Sequence, residues 1–184
     1  MESVRRNRVA RAALVRWFEV FHAPRKFLQS DDVTSFDCGK QSLNEWLKKF
    51  AWRNQQAGTS VTYVVIAERK VVAYYSIAVG SVLPNEATPR VAKGIGKFAI
   101  PILLLARLAV DRSVQARGIG YSLMQDVLIR TVGVGNEIGL RAIVVDALDE
   151  DARRFYLRYG FEPSPIDEMR LMLLMKDVRN TLGI

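Results

Sequence analysis

A mixed α+β sheet layered by helices is the fold class that this 184-residue chain predicts. Three observations carry it. Apolar runs of strand length alternate with segments whose apolar residues recur every three or four positions. Residues 141–147 are too uniformly apolar for a sheet with one wet face, so a helix is expected on each side. A glycine-bearing stretch, residues 115–120, falls between an apolar strand and a periodic helix.

The elements follow in order. Phe36-Asp37-Cys38-Gly39 precedes a helical stripe of Leu43, Trp46, Leu47, Phe50 and Ala51, with Asp37 or Ser42 placed to cap its start. Residues 61–67 read as a strand, 68–70 as a tight turn and 71–79 as the returning strand of a hairpin. Pro84, Pro89, Gly94 and Gly96 mark residues 84–97 as a loop or short irregular excursion. A strand over 100–110 then leads through the glycine run into a helix with an inward stripe of Leu123, Val127 and Leu128, closed by Gly133 and Gly135. After the strand at 141–147, Asp149 can cap a helix whose positive end also attracts Glu150 and Asp151. Gly160 ends that helix, Phe161 begins the return to the sheet, and 169–175 is the last strand.

Composition narrows the function classes. The apolar fraction is 49%, yet no apolar run approaches the ~18 residues of a membrane span. With Cys38 and His22 as the single cysteine and histidine, an internal disulfide and an ordinary Cys/His zinc site are both excluded. The length suits one domain, expected over residues 24–184. Of the net charge of +8, residues 1–26 supply +5, seven Arg and Lys against Glu2 and Glu19. Residues 1–23 are therefore expected to be a basic N-terminal extension, read as a dispensable and disordered segment, as an arm for nucleic acid or a partner, or as a targeting segment.

The stretch 115–120 lacks the Lys-Ser or Lys-Thr ending of an ATPase phosphate loop and the third glycine of a dinucleotide site. Physically, Gly118 lets the backbone close around a diphosphate, Gly120 removes bulk beside it, and Arg117 or Arg112 adds charge where a helix begins. An ordinary turn with solvated arginines is the plain alternative. Ala152 and Tyr156 lie one helical turn apart, which adds a phenol, and the two features together suggest an acyl carrier and a proton donor.

Leu108-Ala-Val-Asp111 running into Gln115-x-x-Gly118-x-Gly120, followed by Val145-Asp-Ala147, Ala152, Phe155-Tyr156 and Gly160-Phe161, resembles the acyl-CoA signature of the GNAT family of N-acetyltransferases. Phe36-Asp-Cys-Gly39, Leu43-Asn-Glu-Trp-Leu47, Arg53-Asn-Gln55 and Arg107-Leu-Ala-Val110 resemble, more narrowly, the toxins of type II toxin-antitoxin pairs that acetylate aminoacyl-tRNA. Ala106 and Ala116 stand where that branch often has glycine, and Ala116 is tolerable unless its backbone needs a positive φ.

The resemblance implies a sheet splayed between the strands at 104–110 and 141–147, with acetyl-CoA between them and helices on both faces. Leu108, Ala109 and Val110 would then hold the pantetheine arm and polarise the thioester. Gln115, Ala116, Arg117, Gly118, Ile119, Gly120 and Ala152 would complete the acetyl-CoA site, and Tyr156 would protonate the departing thiolate. Arg53, Arg90, Lys93, Lys97 and Arg107 are candidates for phosphate contacts to tRNA, with Trp52 a stacking surface; solvated charge and core packing are the alternatives. Arg107 is the unusual member, since it interrupts an apolar strand and must project or be paired. Cys38 is read as structural, Tyr159 as packing, and no metal is expected.

The implied function is transfer of acetyl to the α-amine of aminoacyl-tRNA, inhibiting translation. The implied partners are a ribbon-helix-helix antitoxin, operator DNA through the antitoxin complex alone, and a second copy in a homodimer, in the cytoplasm and without a membrane. An N-acetyltransferase for a protein N-terminus or small amine, and a non-catalytic acetyl-CoA-binding regulator, are the alternative readings.

Overall fold

In the computed structural model of the chain, residues 23–183 are described; His22, most of the basic extension and Ile184 lie outside them. Seven strands form one mixed sheet in the order β1-β2-β3-β4-β5-β7-β6. The chain divides into two compact units. One comprises the described residues up to Ser76 with Arg107–Asp126; the other comprises Ile77–Ala106 and the residues from Val127 onward.

In the first unit, the edge strand β1 (Arg25–Lys26) pairs antiparallel with β2 (Val61–Ala67). Between them come α1 (Gln41–Glu45), a π-helical segment (Trp46–Phe50) and α2 (Ala51–Gln56). Neither Asp37 nor Ser42 caps α1. Lys40 holds that position without a side-chain bond, because the Asp37 carboxylate is already taken by Gly39 N–H and Asn44 Nδ2. Of the expected stripe, Leu47 and Ala51 are buried with Phe27, Phe36, Val64, Val71 and Tyr74, and Leu43 and Trp46 pack half-buried against them, but Phe50 is 43% exposed at the end of the π-helical segment, whose wider turn breaks the three-four spacing. Strand β3 (Lys70–Val82) follows a turn in which Glu68 and Arg69 both have positive φ, the twist a two-residue hairpin needs even without glycine.

In the second unit, β3 runs on to Val82, three residues past its expected end. The excursion after it contains one helical turn, α3 (Pro89–Ala92), started by Pro89 and capped by Thr88 Oγ1 accepting from Val91 N–H at 3.3 Å. Strand β4 (Ile100–Val110) pairs parallel with β5 (Ala142–Asp146), whose residues Ala142 to Val145 are all at least 97% buried, as a strand covered on both faces must be. Antiparallel β7 (Arg170–Leu174) lies beside β5, and the short edge strand β6 (Glu162–Pro163) beside β7.

Gly133 and Gly135 do not close the helix after β4. It runs as α4 from Ile119 to Glu137. A Cβ at Gly135 would lie 3.2 Å from Met175 Cε, so this glycine admits a close approach and tertiary packing outweighs its weak helix propensity. The stripe of Leu123, Val127 and Leu128 is buried as expected. Helix α5 (Glu150–Leu157) is capped by Asp149, and an unexpected amphipathic helix, α6 (Met175–Leu182), ends the described chain by burying Met175 and Val178. Among the described residues no helix is long and apolar enough to cross a membrane.

Candidate functional site

The β4–β5 ladder has three residue pairs, from Ile102–Ala142 to Leu104–Val144, although both strands run further. Leu108 to Val110 are the last residues of β4. Ala109 is buried among the first unit's core, and Asp111 N–H donates to Val72 O at 2.8 Å, which holds the strand end against β3.

The chain then turns through Arg112–Val114 and reaches α4 by way of Gln115 to Gly118, all four exposed. Ala116 has φ +61° and Gly118 φ +82°. These two left-handed residues lie next to the N-terminus of a 19-residue helix, whose dipole favours negative charge there. Buried Ile119 anchors the helix start, Gly120 lies in its first turn, and nothing stands within 4 Å of where a Gly118 Cβ would be. Ala116 does occupy the positive-φ conformation that would make alanine costly. The Gln115 side chain turns inward, its Nε2 donating to Val110 O at 2.9 Å and Cys38 O at 3.1 Å. It shapes the loop and leaves only its backbone for a ligand.

A polar bracket that the sequence reading missed ties this loop to residues 37–44. Asp111 accepts from Asp37 N–H at 2.8 Å, from Ser113 N–H at 2.9 Å and from Ser113 Oγ at 2.6 Å. Asp37 accepts from Gly39 N–H at 2.9 Å, Asn44 Nδ2 at 2.8 Å and the Arg112 guanidinium at 3.1 Å. Arg112 is thus engaged by Asp37 instead of facing the loop's interior. Burial alone would raise the Asp111 pKa, but the donated bonds from Asp37 and Ser113 overcome it and hold the carboxyl below its ordinary value. Asp37 is held down chiefly by the Gly39 N–H, then by Asn44. The available signal was the spacing of Asp37 and Asn44, two small polar residues framing the start of an apolar stripe.

In the second unit, Asp149 Oδ1 accepts from Ala152 N–H at 2.9 Å, so that amide is spent on the cap and is not free for a ligand. One turn later Tyr156 is 5% exposed, its ring packed 5.2 Å from Phe155 and 5.6 Å from Phe161. Burial, then the neighbouring Tyr159, pushes the phenol pKa well above its ordinary value. Burial thus disfavours loss of the phenolic proton. Tyr159 packs against Phe155 at 5.0 Å.

The basic candidates separate. Arg107 projects from β4 and lays its guanidinium 5.6 Å from the centre of the Trp46 ring, which stacks in turn on Tyr74 at 5.8 Å. Tyr74 donates its hydroxyl to Leu43 O at 2.8 Å, so the stack is rooted in α1. Arg53 is exposed on α2, while Trp52 packs edge-on against Phe27 and closes the core. Arg90 does not offer a free charge: Glu162 at 2.6 Å and Asp177 at 2.8 Å engage it from β6 and α6, a structural link that competes with any phosphate. Lys93 and Lys97 are exposed. Their segment is fixed by Arg141, which donates to the carbonyls of Arg90, Val91 and Lys93. Cys38 is half-buried, and burial raises its thiol pKa, which disfavours the nucleophilic thiolate.

Comparison with known proteins gives these features a context. A family model described as an acetyltransferase (GNAT) domain matches residues 58–163. The chain is 45% identical over 163 residues to a tRNA-acetylating toxin of Mycobacterium tuberculosis (strain ATCC 25618 / H37Rv), covering 89% of this chain and 98% of that one. Among solved structures, AtaT complexed with acetyl-methionyl-tRNAfMet is similar with a TM-score of 0.80 and 26% identity over 87% of this chain and 98% of that one. A tyrosine-to-phenylalanine mutant of the AtaT toxin, bound to the C-terminus of the antitoxin AtaR and acetyl-CoA, is similar with a TM-score of 0.74 and 27% identity, covering 88% and 98%.

Proposed function

This chain belongs to the GNAT acetyltransferase family, and on that premise we propose that it transfers the acetyl group of acetyl-CoA to the free α-amine of aminoacyl-tRNA. Blocking that amine keeps the amino acid out of peptide elongation, so the enzyme acts as a translation-inhibiting toxin. The likeness to a tRNA-acetylating toxin, to AtaT with acetylated tRNA and to AtaT with its antitoxin and acetyl-CoA supports this reading. A cognate ribbon-helix-helix antitoxin silences it, the complex of the two represses its own operator DNA, and the toxin works as a homodimer in the cytoplasm, where charged tRNA is found.

Each group then has a task. Residues 115–120 hold the diphosphate with backbone N–H groups and the α4 dipole, Arg117 adding charge. The β4 end at Leu108, Ala109 and Val110 binds the pantetheine arm and aims N–H groups at the thioester oxygen, where negative charge grows. The α-amine attacks the thioester carbon, the new N–C bond forms and the C–S bond breaks. Tyr156 delivers its proton to the departing sulfur, and the proton lost by the amine passes to water. No strong base is required, because an α-amine titrates near 7.7–8.0, about two and a half units below a lysine, and an ester lowers it further. Arg53, Lys93, Lys97 and Arg107 meet the acceptor-end phosphates; Arg90 is left out because two carboxylates hold it. The half-buried, proton-retaining Cys38 leaves direct transfer as the route.

The carrying observation is the buried Tyr156 in a chain that also has two positive-φ residues in the turn before α4. The test is transfer of labelled acetyl from acetyl-CoA to charged and to deacylated tRNA by the native chain and by Tyr156→Phe. Label on charged tRNA alone, with a loss of about 10²–10⁴-fold in the variant, is expected. Label on protein N-termini or small amines in its place would give a different acceptor, and acetyl-CoA binding without any transfer would mean a regulator.

A further inference from the structure

The loop that receives the diphosphate is held from outside by a turn 74 to 77 residues earlier in sequence. Asp37 N–H donates to Asp111, Arg112 N–H to Asp37 O, the Arg112 guanidinium to Asp37 Oδ2, and Gln115 Nε2 to Cys38 O. Gln115 also bonds Val110 O, closing the loop on the strand it leaves. The earlier turn is itself braced. Asn44, 8% exposed, accepts from Cys38 N–H at 2.9 Å and donates to Asp37 Oδ1, and the same Oδ1 receives Gly39 N–H.

We infer that Asp37, braced by Asn44, is a positioning residue that sets the shape of the loop from Asp111 to Gly118 and thereby the affinity for acetyl-CoA. This rests on the proposed role of residues 115–120 in holding the diphosphate. The loop carries two left-handed residues, one of them the non-glycine Ala116, and such a conformation persists where its surroundings determine it. Gln115 is the last residue before Ala116, and both of its side-chain bonds go to backbone that the bracket fixes. Asp37 engages Asp111 and Arg112 at the loop's start, so its action on a ligand runs through the loop. Its pair with Arg112 is open to solvent, the two side chains being 49% and 65% exposed, and an exposed pair contributes little to stability. A binding turn, by contrast, is sensitive to shifts of well under an ångström. Affinity should therefore respond more strongly than stability.

The experiment measures acetyl-CoA binding by calorimetry and both Michaelis constants with charged tRNA, on the full chain and its variants. Asp37→Ala should raise the acetyl-CoA KM about tenfold or more while kcat and the tRNA KM stay within about twofold. Asp37→Asn keeps the Oδ1 that Gly39 and Asn44 use, and should recover most of the loss. An unchanged acetyl-CoA KM in a cooperatively folded Asp37→Ala protein overturns the inference. Should that variant fail to fold, Arg112→Ala decides: removing this exposed partner should raise the acetyl-CoA KM about threefold, and no change overturns the inference. A native chain that does not bind acetyl-CoA at all would overturn the underlying reading and the inference together.

Discussion

Replacing Ala116 with glycine should make the protein more stable. Ala116 has φ +61°, where Cβ crowds the following carbonyl oxygen at a cost of roughly 1–2 kcal/mol for an L-residue. Glycine escapes that cost but gives the unfolded chain more freedom, which offsets roughly 0.5–1 kcal/mol. The balance favours glycine by about 0.5–1 kcal/mol. In a chain of this size each kcal/mol moves the midpoint by about 2–4 °C, so a rise of about 2 °C is expected. Position 116 is exposed, so removing its methyl group leaves no cavity to confuse the result. Denaturant unfolding followed by fluorescence would show a higher midpoint at constant m-value, and calorimetry would show the thermal shift. A midpoint that stays put or falls, with m unchanged, would refute the reasoning, since it would mean that the loop holds alanine there without strain.

Gly39→Ala should act in the opposite sense: φ is +88° and the new Cβ would lie 2.9 Å from Arg112 Nε, so a loss of about 1–2 kcal/mol is expected in the same unfolding assay. Acid should weaken the bracket at 37–44 and 111–115. Asp37 and Asp111 both titrate below their ordinary value when folded, so their contribution is complete above the unfolded pKa of about 3.9 and is lost as pH falls through their lower folded values. Unfolding midpoints measured from about pH 5 down to pH 2 should therefore show a fall that Asp111→Asn makes shallower. Arg107→Ala should reduce the transfer rate at low tRNA concentration and leave the acetyl-CoA KM unchanged. It should also flatten the dependence of log affinity on log salt by about 0.7–0.9 for each phosphate that the arginine neutralises.

The elements with strong local signals were legible in the chain. Periodicity marked the core stripe of α1 and α2, the β2–β3 hairpin and the buried strand β5, because burial on one face or both leaves a repeat of three to four, of two, or none. The turn at 115–120, the cap at Asp149 and the placement of Tyr156 one helical turn beyond Ala152 followed from spacing alone, since local geometry needs only neighbours in sequence. Resemblance to a family then gave those positions a chemistry that spacing could not supply.

Other features depended on residues far apart in the chain. Gly135 reads as a stop until Met175 lies against it, and Arg112 reads as a charge for the loop until Asp37, 75 residues earlier, engages it. Arg90 reads as a free cation until Glu162 and Asp177 converge on it from more than seventy residues away. Two-residue edge strands such as β1 and β6 carry too few side chains to show an alternation. The sequence by itself thus determined the elements with a strong local pattern, such as the β2–β3 hairpin, β5 and the Asp149-capped α5, because those follow from backbone sterics and local hydrophobic pattern. Only the tertiary structure decided which polar side chains remain available, because a buried or shared hydrogen bond depends on groups that folding alone brings together.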